Sequence, residues 1–204
     1  MRIERLKQNF NINVKLVHFP LHPETPEEGL SIAKLYAGRN LDPEEGLSIA
    51  KMYAGRNLDP EKVYQQMKGR MEAEGLPYGK RTHTYNSRRA QELGKWADTR
   101  ENGEPLHDAL YRAYFVDTKN IYDMDILFDV VNSVGLDAKE ARRVLAESLF
   151  VEEVDNDWEK SRTYGVTGVP TFVAGGYGVV GAQPYEALEK LVEQAGVEEL
   201  DNNK

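Results

Sequence analysis

Residues 165–172 have the sequence Gly165-Val-Thr-Gly-Val-Pro-Thr-Phe172, and they lead into two short apolar runs separated by Gly175-Gly176. A Gly-Gly pair between two such runs is typical of a tight β-hairpin. We therefore predict strands at Thr171–Ala174 and Tyr177–Val180. Pro184 follows, and apolar residues at helical spacing after it predict a C-terminal helix.

The rest of the chain contains one further strand pattern and many helical ones. Residues 2–10 predict a short helix. Residues 13–19 predict a strand with apolar residues on both faces, which is typical of a strand buried between helical layers. Residues 27–164 predict helix almost throughout. Neither end could form a core alone, so we expect one α/β unit, residues 1–20 with 165–204, that carries residues 21–164 as an inserted helical domain.

Local signals mark where several helices of the insertion begin and end. Asp123 is placed to cap one helix, and Asp137 with Glu140 three residues later resembles a capping box for the next. The last helix of the insertion should end near Gly165, because glycine is the common residue just after a helix.

Composition and charge exclude several kinds of partner and site. The 204 residues are 40% hydrophobic, carry a formal charge of −8 and contain no cysteine. The acidic balance argues against a nucleic-acid or anionic-membrane partner, and the N-terminal residues show no apolar leader. Without cysteine there is no disulfide and no thiolate metal site. We predict a cytoplasmic protein that uses no metal and no cofactor.

Other candidate sites are weaker. His18 and His22 are four residues apart, but no helix places them on one face, so a metal site is not favoured. The basic run at residues 80–89 could hold an anion near Asn86, although a solvated entry to a helix is the simpler interpretation.

The chain also carries a tandem duplication. Residues 26–42 are followed at once by a second copy at residues 43–59, and only Leu35 and Met52 differ between the two. Each copy has the same apolar set, so both compete for one docking position, and Gly and Pro at the ends of each copy favour one short helix per copy. One hypothesis is that one copy docks and the other is held at low local stability; a silent surface insertion is the alternative.

The stretch at 165–172, the hairpin and the Gly181-Ala-Gln-Pro184 that follows resemble the DsbA family of thioredoxin-fold proteins. The last four residues and the long helical insertion resemble its FrnE-like branch. Matching stretches at Gly75-Leu-Pro-Tyr78 and Tyr85-Asn-Ser87 extend the resemblance over most of the chain.

The resemblance implies a thiol–disulfide oxidoreductase or isomerase that acts on proteins. In the family the proline of the loop is cis, and the residue before it pairs its backbone with an extended substrate peptide. On this chain the residue is Val169, beside Pro170, with Thr167 and Gly168 at the rim. These four are the substrate-binding residues that we predict.

The resemblance also implies that a segment of the family's fold is missing from this sequence. The family's Cys-x-x-Cys begins the helix after the first core strand, and Met1 resembles a position a few residues after the second cysteine. We therefore expect the first core strand to be absent and no catalytic residue to be present. The gap lies between the strand at 13–19 and the strand at Thr171–Ala174, and a second copy or another partner chain would cover it.

Three alternatives to an inactive oxidoreductase stay open. The first is a redox-inactive peptide-binding or chaperone-like module that uses the same loop. The second is a relative of the glutathione-dependent kappa-type isomerases and transferases. The third is a folding or switching model protein built around the duplicated segment.

Overall fold

The computed structural model describes residues 2–21, 23, 25, 30–31 and 60–200. The elements in chain order are α1 (Arg2–Asn9), β1 (Leu30–Ser31), α2 (Pro60–Ala73), β2 (His83–Thr84), α3 (Arg88–Ala97), α4 (Pro105–Phe115), α5 (Met124–Ser133), α6 (Ala138–Ala146), α7 (Val151–Thr163), β3 (Thr171–Ala174), β4 (Tyr177–Val180) and α8 (Tyr185–Gln194). No helix in the described part of the chain combines the length and the apolar character needed to cross a bilayer.

The chain divides into two compact units between residues 21 and 22 and between residues 157 and 158. Unit 1 contains both ends of the chain, and unit 2 contains residues 22–157. The sequence placed the second boundary at residue 165, after the last helix of the insertion. The structure places it inside α7, so this one helix contributes residues to both units.

Unit 1 is built on the predicted hairpin. β3 and β4 pair antiparallel, with Phe172 opposite Val179 and Ala174 opposite Tyr177. Gly175 and Gly176 form the two-residue turn with φ values of 55° and 85°, as the favoured hairpin turn requires. Phe172 and Val179 pack against a small core formed by α1 and α8, whose buried members are Leu6, Phe10, Tyr185, Leu188 and Val192.

Unit 2 is a helical domain around one core. Its most buried side chains come from α3, α4, α5 and α6 and include Leu93, Trp96, Leu106, Leu127, Phe128, Val131 and Val144. The predicted caps are confirmed. The Asp123 side chain accepts hydrogen bonds from the backbone of Asp125 and Ile126, and Asp137 accepts from Lys139 and Glu140.

The predicted strand at residues 13–19 is wrong. Residues 11–20 have no regular secondary structure, and Val14, Leu16 and Val17 are 38%, 46% and 39% exposed. A strand exists only where another strand satisfies its backbone groups, and no described strand lies beside this segment. The apolar pattern is present, but its hydrogen-bonding partner is not among the described residues.

The helical prediction for residues 27–164 also needs a correction. Leu30 and Ser31, in the first repeat copy, form β1 and pair antiparallel with β2, Leu30 opposite Thr84 and Ser31 opposite His83. At these two positions the first copy is extended rather than helical. The remaining residues of both copies, 26–29 and 32–59, lie outside the described residues.

A charged cluster joins α3 to the first half of α7 in unit 2. Arg88 contacts Glu92 at 3.2 Å and Asp155 at 2.7 Å, and it also donates to the carbonyl of Val151. Lys95 pairs with Asp157 at 3.1 Å. Burial raises the pKa of Glu92 above the usual carboxyl range, although Arg88 opposes the shift.

The raised pKa of Glu92 gives a pH-dependent prediction. Between the usual carboxyl pKa and the raised one, the folded chain holds a proton that the unfolded chain has lost, so ionisation of Glu92 lowers stability as pH rises through this window. Glu92→Gln should therefore raise the free energy of unfolding at about pH 7 and change it little at about pH 3.5, where Glu92 is protonated in both states. Urea unfolding at both pH values measures this, with exposed Glu152→Gln as the control. An equal effect of Glu92→Gln at the two pH values would contradict it.

The hairpin turn gives a second prediction. A Cβ added at Gly175 would lie 2.8 Å from the Cβ of Ala195, the residue that follows α8, whereas one added at Gly176 would meet nothing within 4 Å. Both glycines have positive φ, so an alanine at either position is strained by about 1–2 kcal/mol. Gly175→Ala should cost about 1–3 kcal/mol more, because it also overpacks the contact with α8. Chemical denaturation of the matched pair, Gly175→Ala and Gly176→Ala, measures the difference, and equal losses would show that the contact is not tight.

Candidate functional site: the loop and open strand edge of unit 1

The loop that contains the predicted site begins where α7 ends. Gly165 has a φ of 64°, and its amide donates to the carbonyl of Arg162, while Val166 donates to Ser161. These bonds close the end of the helix, as the predicted glycine stop requires. They fix the point from which residues 166–170 leave α7 and enter β3.

The four predicted site residues lie together on this loop. Thr167, Val169 and Pro170 are exposed and Gly168 is half-buried. The Val169–Pro170 peptide bond is cis. Two hydrogen bonds fasten the loop to the hairpin: the hydroxyl of Thr171 donates to the carbonyl of Gly168 at 2.6 Å, and the amide of Gly181 donates to the carbonyl of Pro170 at 2.7 Å.

Val169 is an exposed residue whose backbone N–H and C=O form no hydrogen bond with the described residues. The residue is 51% exposed. A backbone donor and acceptor beside each other on an exposed residue can pair with an extended chain in the manner of a neighbouring strand.

The Gly181–Pro170 bond fixes which residues of β3 face β4. In an antiparallel pair, residues with hydrogen bonds to the partner strand alternate with residues whose backbone groups point away. Because Pro170 bonds to Gly181, Phe172 and Ala174 bond to β4, and Thr171 and Val173 turn their N–H and C=O to the other edge. No described strand occupies that edge.

Thr171 and Val173 therefore form a short row of backbone groups on this edge, which we call the free row. Val169 lies outside β3, in a bend that precedes the cis bond to Pro170. Sequence reasoning placed Thr171 and Val173 in a strand but did not assign them to the site. The predicted Gly175-Gly176 turn was the signal that would have found them, because a two-residue turn sets which residues of β3 bond to β4.

The residues that flank the free row in the sequence are uncharged, and two exposed valines lie among them. Val173 and Val180 share the outer face of the hairpin as diagonal neighbours and are 45% and 57% exposed. Residues 163–185 contain no Lys, Arg, Asp, Glu or His. These residues offer backbone hydrogen bonds, hydroxyl groups and apolar contact.

Side chains of the basic run at residues 80–89 form contacts with other residues of the chain. Lys80 pairs with Glu61 at 2.7 Å. Arg89 donates to the carbonyl of Tyr122 and lies 3.7 Å above its ring. The amide of Asn86 donates to the carbonyl of Thr25. These contacts favour a structural role for the run over an anion site.

Metal binding finds no support in the described part of the chain. No three histidine or carboxylate side chains gather there in a way that could hold an ion. His18 has no regular element around it, and His22 lies outside the described residues. The spacing of His18 and His22 therefore stays an observation from the sequence.

Comparison with known proteins places this fold and site in a family. A family model of DSBA-like thioredoxin domains matches residues 1–193. A probable DsbA oxidoreductase from Streptomyces coelicolor superposes with a TM-score of 0.64 at 31% sequence identity, over 75% of this chain and 69% of that one. The thioredoxin-like fold that the sequence predicted is thus confirmed.

Two further similarities are more limited. A 2-hydroxychromene-2-carboxylate isomerase superposes with a TM-score of 0.57 over 81% of this chain and 85% of its own, but at 15% identity it shows the fold alone. The uncharacterised protein YwbO of Bacillus subtilis is 29% identical over 92 residues, which are 44% of this chain and 46% of that protein. The chain therefore matches about half the length of this curated relative.

Proposed function

Because the chain belongs to the family of DSBA-like thioredoxin domains, we propose that it binds an extended segment of a protein substrate along Val169 and the free row. The family is one of thiol–disulfide oxidoreductases. The observation that carries the proposal is the exposed Val169, whose N–H and C=O have no partner among the described residues.

Binding of a substrate and catalysis of thiol–disulfide exchange are separate activities. Thiol–disulfide exchange requires a cysteine thiolate, and the 204 residues contain none. We propose that these residues supply the substrate-binding half of a disulfide-exchange site, in the FrnE-like manner that the resemblance implies, and catalyse no exchange themselves. A redox-inactive, chaperone-like role would use the same peptide-binding surface without thiol–disulfide exchange. The cytoplasmic location stays a prediction.

Removal of the Val169 donor tests the binding site. A proline at this position has no N–H, so Val169→Pro should weaken the binding of an extended peptide by about five- to tenfold, corresponding to one hydrogen bond of about 1–1.4 kcal/mol. A fluorescein-labelled, end-capped peptide of alternating valine and threonine is a suitable probe, and anisotropy measures its dissociation constant.

Two control variants accompany this measurement. Val169→Ala keeps the donor and should bind the probe nearly as well as the parent chain. Leu149→Ala removes an exposed apolar side chain of unit 2 and should leave binding unchanged. Probe binding that does not respond to Val169→Pro would contradict the proposed site, and so would the absence of binding by the parent chain.

The glutathione-dependent alternative makes a different prediction. A relative of the kappa-type enzymes would bind glutathione, so the chain would be retained on immobilised glutathione and released by the free tripeptide. We expect no retention, because residues 163–185 offer no charged side chain for the carboxylates and amine of glutathione. Specific elution would favour the alternative over the peptide site.

A further inference from the structure

The loop between α3 and α4 contains Asn102-Gly103, and Asn102 is the one asparagine of the sequence that a glycine follows. We propose that Asn102 is a non-enzymatic modification site, which is protected in the folded chain and deamidates once unit 2 unfolds. The isoaspartyl product then prevents unit 2 from refolding, so the loop converts transient unfolding into a permanent loss. The proposal does not depend on peptide binding at Val169.

Deamidation at this pair consumes only water. The backbone nitrogen of Gly103 loses its proton and attacks Cγ of the Asn102 side chain. The new C–N bond closes a five-membered succinimide, and the side-chain nitrogen takes up a proton and leaves as ammonia. Water then opens one of the two C–N bonds of the ring, giving either aspartate in the normal linkage or isoaspartate, whose chain runs through Cβ and Cγ. Glycine favours the ring closure, because it has no Cβ to hinder the attack.

The attacking nitrogen is held in place in the folded chain. The amide of Gly103 donates to the carbonyl of Arg100 at 3.2 Å, and the carbonyl of Gly103 accepts from the amide of the fully buried Leu106. Gly103 itself is buried, although Asn102 beside it is exposed. The nitrogen must give up its hydrogen bond before it attacks, so the reaction requires the loop to open.

Contacts on both flanks hold this loop closed. Arg100 pairs with Glu140 of α6 at 2.6 Å, and its guanidinium lies 5.5 Å from the ring centroid of the buried Trp96. On the other flank, the imidazole of His107 lies 2.7 Å from the carboxylate of Asp98. Because these contacts tie the loop to α3, α4 and α6, we expect the loop to open together with the core of unit 2.

The same packing leaves no room for isoaspartate. A Cβ built on Gly103 would lie 1.8 Å from the carbonyl oxygen of Ala97, a residue of the buried core. The isoaspartyl linkage inserts one backbone carbon directly before Gly103, which adds about 1.5 Å of chain. A close-packed interior accepts such a displacement poorly. Aspartate in the normal linkage adds no length, and its charge lies on the exposed side chain of position 102.

Peptide mapping by mass spectrometry tests the protection. The full chain is incubated at mildly alkaline pH, folded in buffer or unfolded in guanidinium chloride. Asn132 is the internal control, since it is also exposed but is followed by serine. In the unfolded chain Asn102 should deamidate faster than Asn132, and at least about tenfold faster than in the folded chain, a factor that corresponds to about 1.4 kcal/mol of loop opening. Equal rates at Asn102 in the two states would overturn the proposal.

Refolding of the aged chain tests the permanent loss. After partial deamidation the denaturant is diluted, and size-exclusion chromatography separates native chain from aggregate. Isoaspartate at position 102 should be concentrated in the aggregate, whereas aspartate at the same position should be recovered with the native chain. An equal share of isoaspartate in the two fractions would show that unit 2 accepts the longer linkage, and the proposal would be wrong.

Two variants separate the linkage from other damage. Asn102→Gln should keep its refolding yield during the same incubation, because the longer side chain does not close the five-membered ring. A yield that falls as fast as that of the parent chain would place the damage elsewhere. Asn102→Asp, measured before ageing, should fold as the parent chain does. Failure of Asn102→Asp to fold would assign the loss to charge and overturn the argument from the linkage.

Discussion

Backbone hydrogen bonding along β3 is the constraint on which the properties of unit 1 depend. Phe172 is packed on the core of α1 and α8, which fixes the face that β3 turns inward. β4 satisfies one edge of the strand. No described strand pairs with the other edge, and rotating β3 to turn that edge inward would expose Phe172. Packing of Phe172 therefore fixes the orientation of the hairpin.

The same constraint explains why sequence reasoning succeeded for some elements and failed for others. The hairpin and the caps at Asp123 and Asp137 were predicted correctly, because a Gly-Gly turn and a capping carboxylate act on residues two or three positions away. The strand predicted at residues 13–19 was wrong. An apolar pattern indicates that a segment favours a strand, but it does not show that a partner strand is present. Leu30 and Ser31 were also mispredicted: the strand that holds them extended, β2, is more than fifty residues away.

For the predicted site, too, local sequence and hydrogen bonding between strands carry different information. Resemblance to a family identified Thr167, Gly168, Val169 and Pro170, and the structure brings them together on one exposed loop. The free row depends on which residues of β3 bond to β4. The bond between Gly181 and Pro170 shows that alternation, and the two-residue turn at Gly175-Gly176 already implies it. Thr167, Gly168, Val169 and Pro170 stay predicted substrate-binding residues, and Thr171 and Val173 extend the proposed surface beyond them.

Recognition of a peptide at this loop would depend on the backbone rather than on side-chain charge. Residues 163–185 contain no Lys, Arg, Asp, Glu or His, so an extended peptide at Val169 would be held by backbone hydrogen bonds and apolar contact. Residues 2–21 and 158–200 contain seven Lys or Arg and seven Asp or Glu, so the net charge of −8 comes from the rest of the chain. Long-range repulsion would therefore disfavour acidic peptides, although no charged side chain of residues 163–185 would select against them.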